Sequence, residues 1–265
     1  MSHSTTTLIG QQISSLLSTR FLGRPLYYMD EVTSTNSLAL EAAKRGATHG
    51  TVFAADYQTS GRGRQGRTWN ADAGLNLTFS IILDLPISGN RIGLLPLTAC
   101  LGVADAIADV VAPYRPQLKW PNDILLNGQK VCGMLLQTVG SAMTPIILGI
   151  GINVNQTVFP EELDKFATSL LLSTGQPIDR AVLMPSVLLN LEKNLELMLT
   201  DPSAIRKNYT DDLVWIGQSC RVIGMDEEII GTPIGIEESG ALILETSTGT
   251  RTIYAGNVSL RMVDD

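Results

Sequence analysis

The chain has 265 residues, 44% of them hydrophobic and 17% charged, enough to bury at least one substantial core. A net charge of −7 argues against a protein whose whole surface is a ligand for nucleic acid or an anionic membrane, so any phosphate binding must be local. The first residues carry no basic stretch ahead of an apolar core, and no later run approaches about 18 consecutive apolar residues, so nothing is expected to export or anchor the chain.

Cys100, Cys132 and Cys220 are widely spaced and form no CxxC pair, and they read as reduced packing residues of a cytoplasmic protein. His3 sits in an N-terminal tail expected to fray, which leaves His49 alone for any histidine-based triad or metal site, with too few partners for either.

In chain order, residues 34–45 predict a helix with Thr33 or Ser34 as cap, an Ala/Leu-rich body and Gly46 as stop. Strands are expected at 51–56 and 76–83, the second alternating Leu77, Phe79, Ile81 and Leu83 on one face. Leu94, Leu97, Leu101, Ala104, Ala108 and Val111 recur at helical spacing, a core helix over 94–112 that Pro113 ends. Three strand-like runs follow at 117–120, 130–139 and 145–154, then a helix opened by Asp179 to about 199 and a shorter one over 202–213. After Trp215 short β-like runs punctuated by glycine suggest a small barrel with its boundary near Val214. The expected organisation is an N-terminal segment 1–25, a mixed domain 26–214 and a small domain 215–265.

Residues 61–67 read GRGRQGR, three glycines and three arginines in seven positions. Arginines this close repel one another and glycines lose the most entropy on ordering, so the loop should be mobile until a phosphate or carboxylate arrives. A solvated basic loop or an RNA-binding tail remains the alternative. Trp69 reads either as a core aromatic or as a stacking platform. In KWPND, 119–123, Pro121, Asn122 and Asp123 favour a rigid turn, and Lys119 and Lys130 come near one site if the strands they bound pair with each other. GIGINVN, 149–155, is not followed by a helix, so it fails the dinucleotide fingerprint; its glycines suit close approach and Asn153 suits hydrogen bonding to a base or phosphate.

Together these blocks resemble the biotin protein ligases: Ser34-Thr35-Asn36 opening a helix, Gln58 before GRGRQGRTW, KWPND with a later lysine before glycine, and GIGIN, in that family's order. The resemblance implies an α+β fold, the mixed sheet with helices that class II synthetases and lipoyl ligases share, followed by an SH3-like barrel. It implies activation of biotin by ATP, with Mg²⁺ as partner of the nucleotide, and transfer to a lysine of a biotin carboxyl carrier domain.

By the same resemblance Ser34, Thr35, Asn36, Gln58, Gly61, Arg62, Gly63, Arg64, Lys130 and Gly133 hold biotin. Arg64, Arg67, Trp69, Lys119, Asn122, Asp123 and Asn153 face the nucleotide, and Lys130, Arg62 and Arg64 are the catalytic cations. Metal ligands are not indicated. Only about 30 residues precede Ser34, too few for the DNA-binding module of bifunctional members, so no repressor activity or DNA partner is expected; dimerisation through a sheet edge stays open. A lipoyl ligase is the near rival, disfavoured by GRGRQGRTW and KWPND. A non-catalytic anion-binding module leaves Gln58, Lys119 and Lys130 unexplained.

Overall fold

A computed structural model describes residues 7–139, 145–224, 227–256 and 258–262, and the expectation for His3 lies outside them. The chain opens with α1 (Leu8–Leu16), capped by the Thr7 hydroxyl, which accepts from Gly10 N at 3.2 Å. There follow β1 (Leu26–Val32), α2 (Thr35–Lys44), β2 (Val52–Gln58), β3 (Leu77–Leu83) and the long α3 (Leu94–Val111). Then come β4 (Gln117–Lys119), β5 (Asp123–Leu126), β6 (Gln129–Thr138) and β7 (Ile146–Ile152), with α4 (Leu170–Thr174), α5 (Arg180–Thr200) and α6 (Pro202–Asp211) behind them. The last elements are β8 (Cys220–Ile223), β9 (Glu228–Ile236), β10 (Leu242–Thr246), β11 (Gly249–Ile253) and β12 (Ser259–Met262).

The first sheet runs β1-β2-β3-β7-β6-β5-β4, with β1 and β2 parallel and the other pairs antiparallel. Both β3 and β7 are buried along their whole length because both faces are covered. Ala39 of α2 lies against Ile82 and Ile147 on one face, while Phe79, Ile81 and Leu148 join α3 and α5 in the main core on the other. The alternation read from Leu77 to Leu83 is this main-core face. α3 is long and apolar enough to cross a membrane, yet it is mostly buried under the sheet and against α5.

Two expectations need correction. The runs holding Lys119 and Lys130 do not pair, because β5 stands between them: Lys119 pairs with Asp123, and Asp123 with Gly133. The turn expected in KWPND is present over residues 120–122 and joins β4 to β5, but Asp123 opens the next strand instead of belonging to it. A second turn lies at Asn127 and Gly128, whose φ values of 52° and 80° make the Asn-Gly hairpin that joins β5 to β6. Ser34 also stands at the N-cap of α2 without a side-chain capping bond.

The second sheet, β11-β10-β9-β8-β12, is wholly antiparallel and buries Val222, Leu242, Leu244 and Leu260. It is bound tightly to the first. Trp120 Nε1 donates to Gly240 O at 3.1 Å, and β4 exchanges backbone bonds of 2.9 Å with Asp212 and Val214 at the entry to the second sheet.

Candidate active site

The strand ends and loops on one side of the first sheet enclose a cavity of about 480 Å³, within the range of small-molecule sites. Every candidate residue except Gly61 lines it. Gly61 is buried beneath the basic loop, where a Cβ would run into the carbonyl of Trp69.

One end of the cavity is a cluster of hydroxyls and amides. Gln58 Oε1, at the end of β2, accepts from Thr35 N at 2.8 Å and lies 3.2 Å from Thr35 Oγ1. Thr35 Oγ1 meets Ser80 Oγ at 2.8 Å, and Ser80 Oγ donates to Asn36 Oδ1 at 2.6 Å. The start of α2 delivers Ser34, Thr35 and Asn36, each nearly fully buried. Among the described residues the Nδ2 of Asn36 and the Nε1 of Trp69 are buried donors without a partner, an arrangement that is costly until an acceptor arrives.

The glycines of 149–151 explain how these groups fit. A Cβ on Gly149 would overlap the Asn36 carboxamide, and one on Gly151 would overlap the Trp69 indole, so both side chains lie directly on the β7 backbone. Trp69 is thus held against the sheet and also lines the cavity.

The other end is cationic. Lys130 Nζ is 2.6 Å from Asp123 Oδ1, an ion pair without hydrogen-bond alignment, and lies 5.6 Å from the centre of the Trp69 ring. Gly133 leaves the space it needs: a Cβ there would stand 2.7 Å from Lys130 Nζ. Lys119 sits over Trp215 at 5.4 Å from the ring centre. Asn122 and Asn153 are committed to the scaffold, Asn122 Nδ2 donating to Met134 O at 2.8 Å and Asn153 Nδ2 to Thr168 O at 3.0 Å.

The basic loop is folded as a tight hairpin. Arg62 bridges Thr68, Gly63 N donates to Arg67 O at 2.7 Å, and Gln65 and Gly66 turn the chain with φ of 58° and 72°. Arg64 is the loop arginine with side-chain hydrogen bonds to the rest of the fold, donating to Asn122 Oδ1 at 2.7 Å and to Gly256 O at 2.5 Å, while Arg62 and Arg67 also line the cavity. Burial pulls Arg64 below the ordinary arginine value and Asp123 opposes that shift, so an incoming anion would find a partly desolvated cation.

Several lining residues were not among the candidates. Phe79, Met134 and Ile150 line the cavity from the first sheet, Phe159, Leu163 and Phe166 from the segment after β7, and Val258 with Ser259, Leu260 and Arg261 of β12 from the second sheet. Arg261 stacks over Phe166 at 5.6 Å. The segment at 159–167 has no periodicity to mark it, and β12 approaches only through the tertiary fold. His49 is absent from the lining; it stacks on Phe21 and accepts from Asp84 N, and burial lowers its pKa.

Residues 28–153 match the biotin/lipoate A/B protein ligase family, and residues 215–261 match the biotin protein ligase C-terminal domain. The biotin–[acetyl-CoA-carboxylase] ligase of Mycobacterium tuberculosis is 35% identical, over 89% of this chain and 88% of that protein. The chain belongs to the biotin protein ligase family. A bifunctional ligase/repressor of Bacillus spizizenii is 36% identical over 92% of this chain and 76% of its own length. The structure of the Aquifex aeolicus biotin protein ligase in complex with biotin and ATP superposes with a TM-score of 0.81 at 32% identity, covering 89% of this chain and 98% of that one.

Proposed function

We propose that this chain joins the biotin carboxylate to the α-phosphate of ATP and passes the biotinyl group to a lysine of a carboxyl carrier protein. The observation that carries the assignment of residues is the polarity of the cavity, uncharged donors and acceptors around Asn36 at one end and cations around Lys130 at the other. A ureido head group needs matched hydrogen bonds, since an unmatched buried polar group is costly. A carboxylate and a phosphate need cations.

In the first step a carboxylate oxygen attacks the α-phosphorus and the bond to pyrophosphate breaks, leaving biotinyl-5′-adenylate. Lys130 and Arg62 bring the two anions together and stabilise charge on the phosphoryl oxygens. In the second the uncharged lysine amine attacks the acyl carbon, AMP departs with the bonding pair, and the amine proton is lost as the amide forms. Ser34, Thr35, Asn36, Gln58 and Gly133 surround the head group and chain of biotin. Trp69, Lys119, Arg64 and Arg67 face the nucleotide, with Asn122, Asp123 and Asn153 shaping that side through the bonds they make to Arg64, Lys130 and Thr168. Among the described residues no three His, Cys, Asp or Glu side chains gather to hold a resident metal, so Mg²⁺ enters as the counter-ion that ATP brings.

We extend the reading to a ligase without repressor activity, on the ground that a net charge of −7 opposes attraction to DNA. The three unpaired, buried thiols suit the reducing cytoplasm. The outer edge of β1 offers a place for two copies to pair, which sedimentation of the purified chain tests.

The decisive experiment is incubation with ATP, Mg²⁺ and either biotin or lipoate, followed by mass spectrometry for the acyl-adenylate. Biotinyl-adenylate is expected. Adenylate from lipoate alone would overturn the substrate, and none from either would overturn the activity.

A further inference from the structure

We infer that Ser80, which does not itself line the cavity, is a positioning residue that orients the Asn36 carboxamide toward the ligand. Ser80 is the sixth of the apolar-rich run Leu75 to Ile82 and is fully buried in the middle of β3. A hydroxyl there is costly unless it is bonded.

Its bonds follow from a count of protons. Ser80 has one, and gives it to Asn36 Oδ1 at 2.6 Å. The Thr35 hydroxyl also has one, for which Ser80 Oγ at 2.8 Å and Gln58 Oε1 at 3.2 Å compete; with the Ser80 proton already spent, the shorter contact takes it, and the relay runs from Thr35 through Ser80 to Asn36. Gln58 Oε1 keeps the Thr35 backbone N–H, which it accepts at 2.8 Å.

With its oxygen engaged, the Asn36 carboxamide keeps Nδ2 as a buried donor without a partner among the described residues. Gly149 lies hard against the same carboxamide, so it has little room to move aside. Remove the Ser80 proton and the two orientations of the amide, oxygen inward or nitrogen inward, become similar in energy. The serine therefore selects a ligand that presents an acceptor, and in biotin the strong acceptor of the head group is the ureido oxygen. The inference rests on the proposed reading that Asn36 faces that head group.

The test is a double-mutant cycle on the full chain. Biotin affinity is measured by calorimetry for wild type, Ser80→Ala, Asn36→Ala and the double variant, alongside the KM for ATP and thermal melting. Ser80→Ala should weaken biotin about tenfold, the loss of one oriented hydrogen bond. The double variant should bind no more weakly than Asn36→Ala alone. 2-Iminobiotin, which presents N–H where biotin presents oxygen, should lose less affinity than biotin does on Ser80→Ala.

Unchanged biotin affinity in Asn36→Ala would remove the reading of Asn36. Loss in Asn36→Ala with a neutral or fully additive Ser80→Ala overturns the role of Ser80 alone. Parallel damage to melting and to the KM for ATP in Ser80→Ala would also overturn it, as the mark of a scaffold defect. Should Ser80→Ala not fold, Ser80→Cys, close in size and a weaker donor, enters the same cycle with loss of biotin affinity expected in the same direction.

Discussion

Lys130 is placed by three neighbours of different kinds: Asp123 holds its charge at 2.6 Å, Trp69 lies beneath it, and Gly133 gives it room. An ammonium so constrained loses little entropy on binding an anion, and in the proposed reaction the larger charge it meets is the one that develops on the phosphoryl oxygens. Lys130→Ala should therefore slow adenylate formation by about 10² to 10³-fold, the scale for loss of one oriented group at a developing charge, with a smaller loss in biotin affinity. Single-turnover kinetics beside equilibrium binding separate the two, and equal losses would make Lys130 a binding residue only. Gly151 tests the nucleotide side. Its alanine variant would push the Trp69 indole off β7 and should raise the KM for ATP about tenfold while biotin affinity changes little. An unchanged KM would mean that the indole does not face the nucleotide.

Among the elements, α3 shows a case where two local effects oppose each other. Gly102 lies mid-helix, where alanine would gain about 1 kcal/mol of intrinsic propensity. A Cβ there would, however, stand 2.6 to 2.9 Å from backbone atoms of Leu191 and Asn190 on α5, and backbone cannot rotate away. Overpacking of this kind costs about 1–3 kcal/mol, so Gly102→Ala should be destabilising, lowering the urea midpoint at unchanged m-value. A raised midpoint would show that the helices separate freely. α3 was legible in the sequence because its face repeats at helical spacing, and β3 because its alternation reports a buried face. β1 and β5 were not, the first being a short run without clear alternation and the second following a KWPND motif that reads as turn. Asn127-Gly128 was the stronger turn signal; it pairs Leu125 with Lys130, and a register shift between Ile124 and Leu125 then sets Asp123 opposite Gly133. Ser80 stayed invisible for a different reason, since nothing local marks a serine in an apolar strand as the partner of residues some 45 positions away.

The whole molecule joins its two sheets through backbone in close contact. Gly93, ahead of α3, and Gly240, between β9 and β10, touch so closely that a Cβ on Gly93 would overlap the Ser239 carbonyl. Trp120 Nε1 donates to Gly240 at the same place, and an Arg91–Glu238 ion pair flanks it. On the far side of the second sheet β12 walls the cavity, and the Ala255 and Gly256 carbonyls hold Arg64 of the basic loop. On the proposed reading, displacing the second sheet should thus act on the nucleotide side and on loop closure, because the amide-rich end is built from the first sheet and the start of α2. Gly93→Ala forces that displacement, as neither backbone can yield alone. We expect biotin affinity to stay within about twofold of wild type, below the scale of one lost hydrogen bond. Hydrolysis of bound biotinyl-adenylate should accelerate as water enters past Arg64. Arg64→Ala should reproduce the faster hydrolysis without the strain between sheets. Rapid-quench measurement of adenylate decay in both variants decides the matter: fast decay in Arg64→Ala but not in Gly93→Ala would mean that the second sheet does not hold the loop closed.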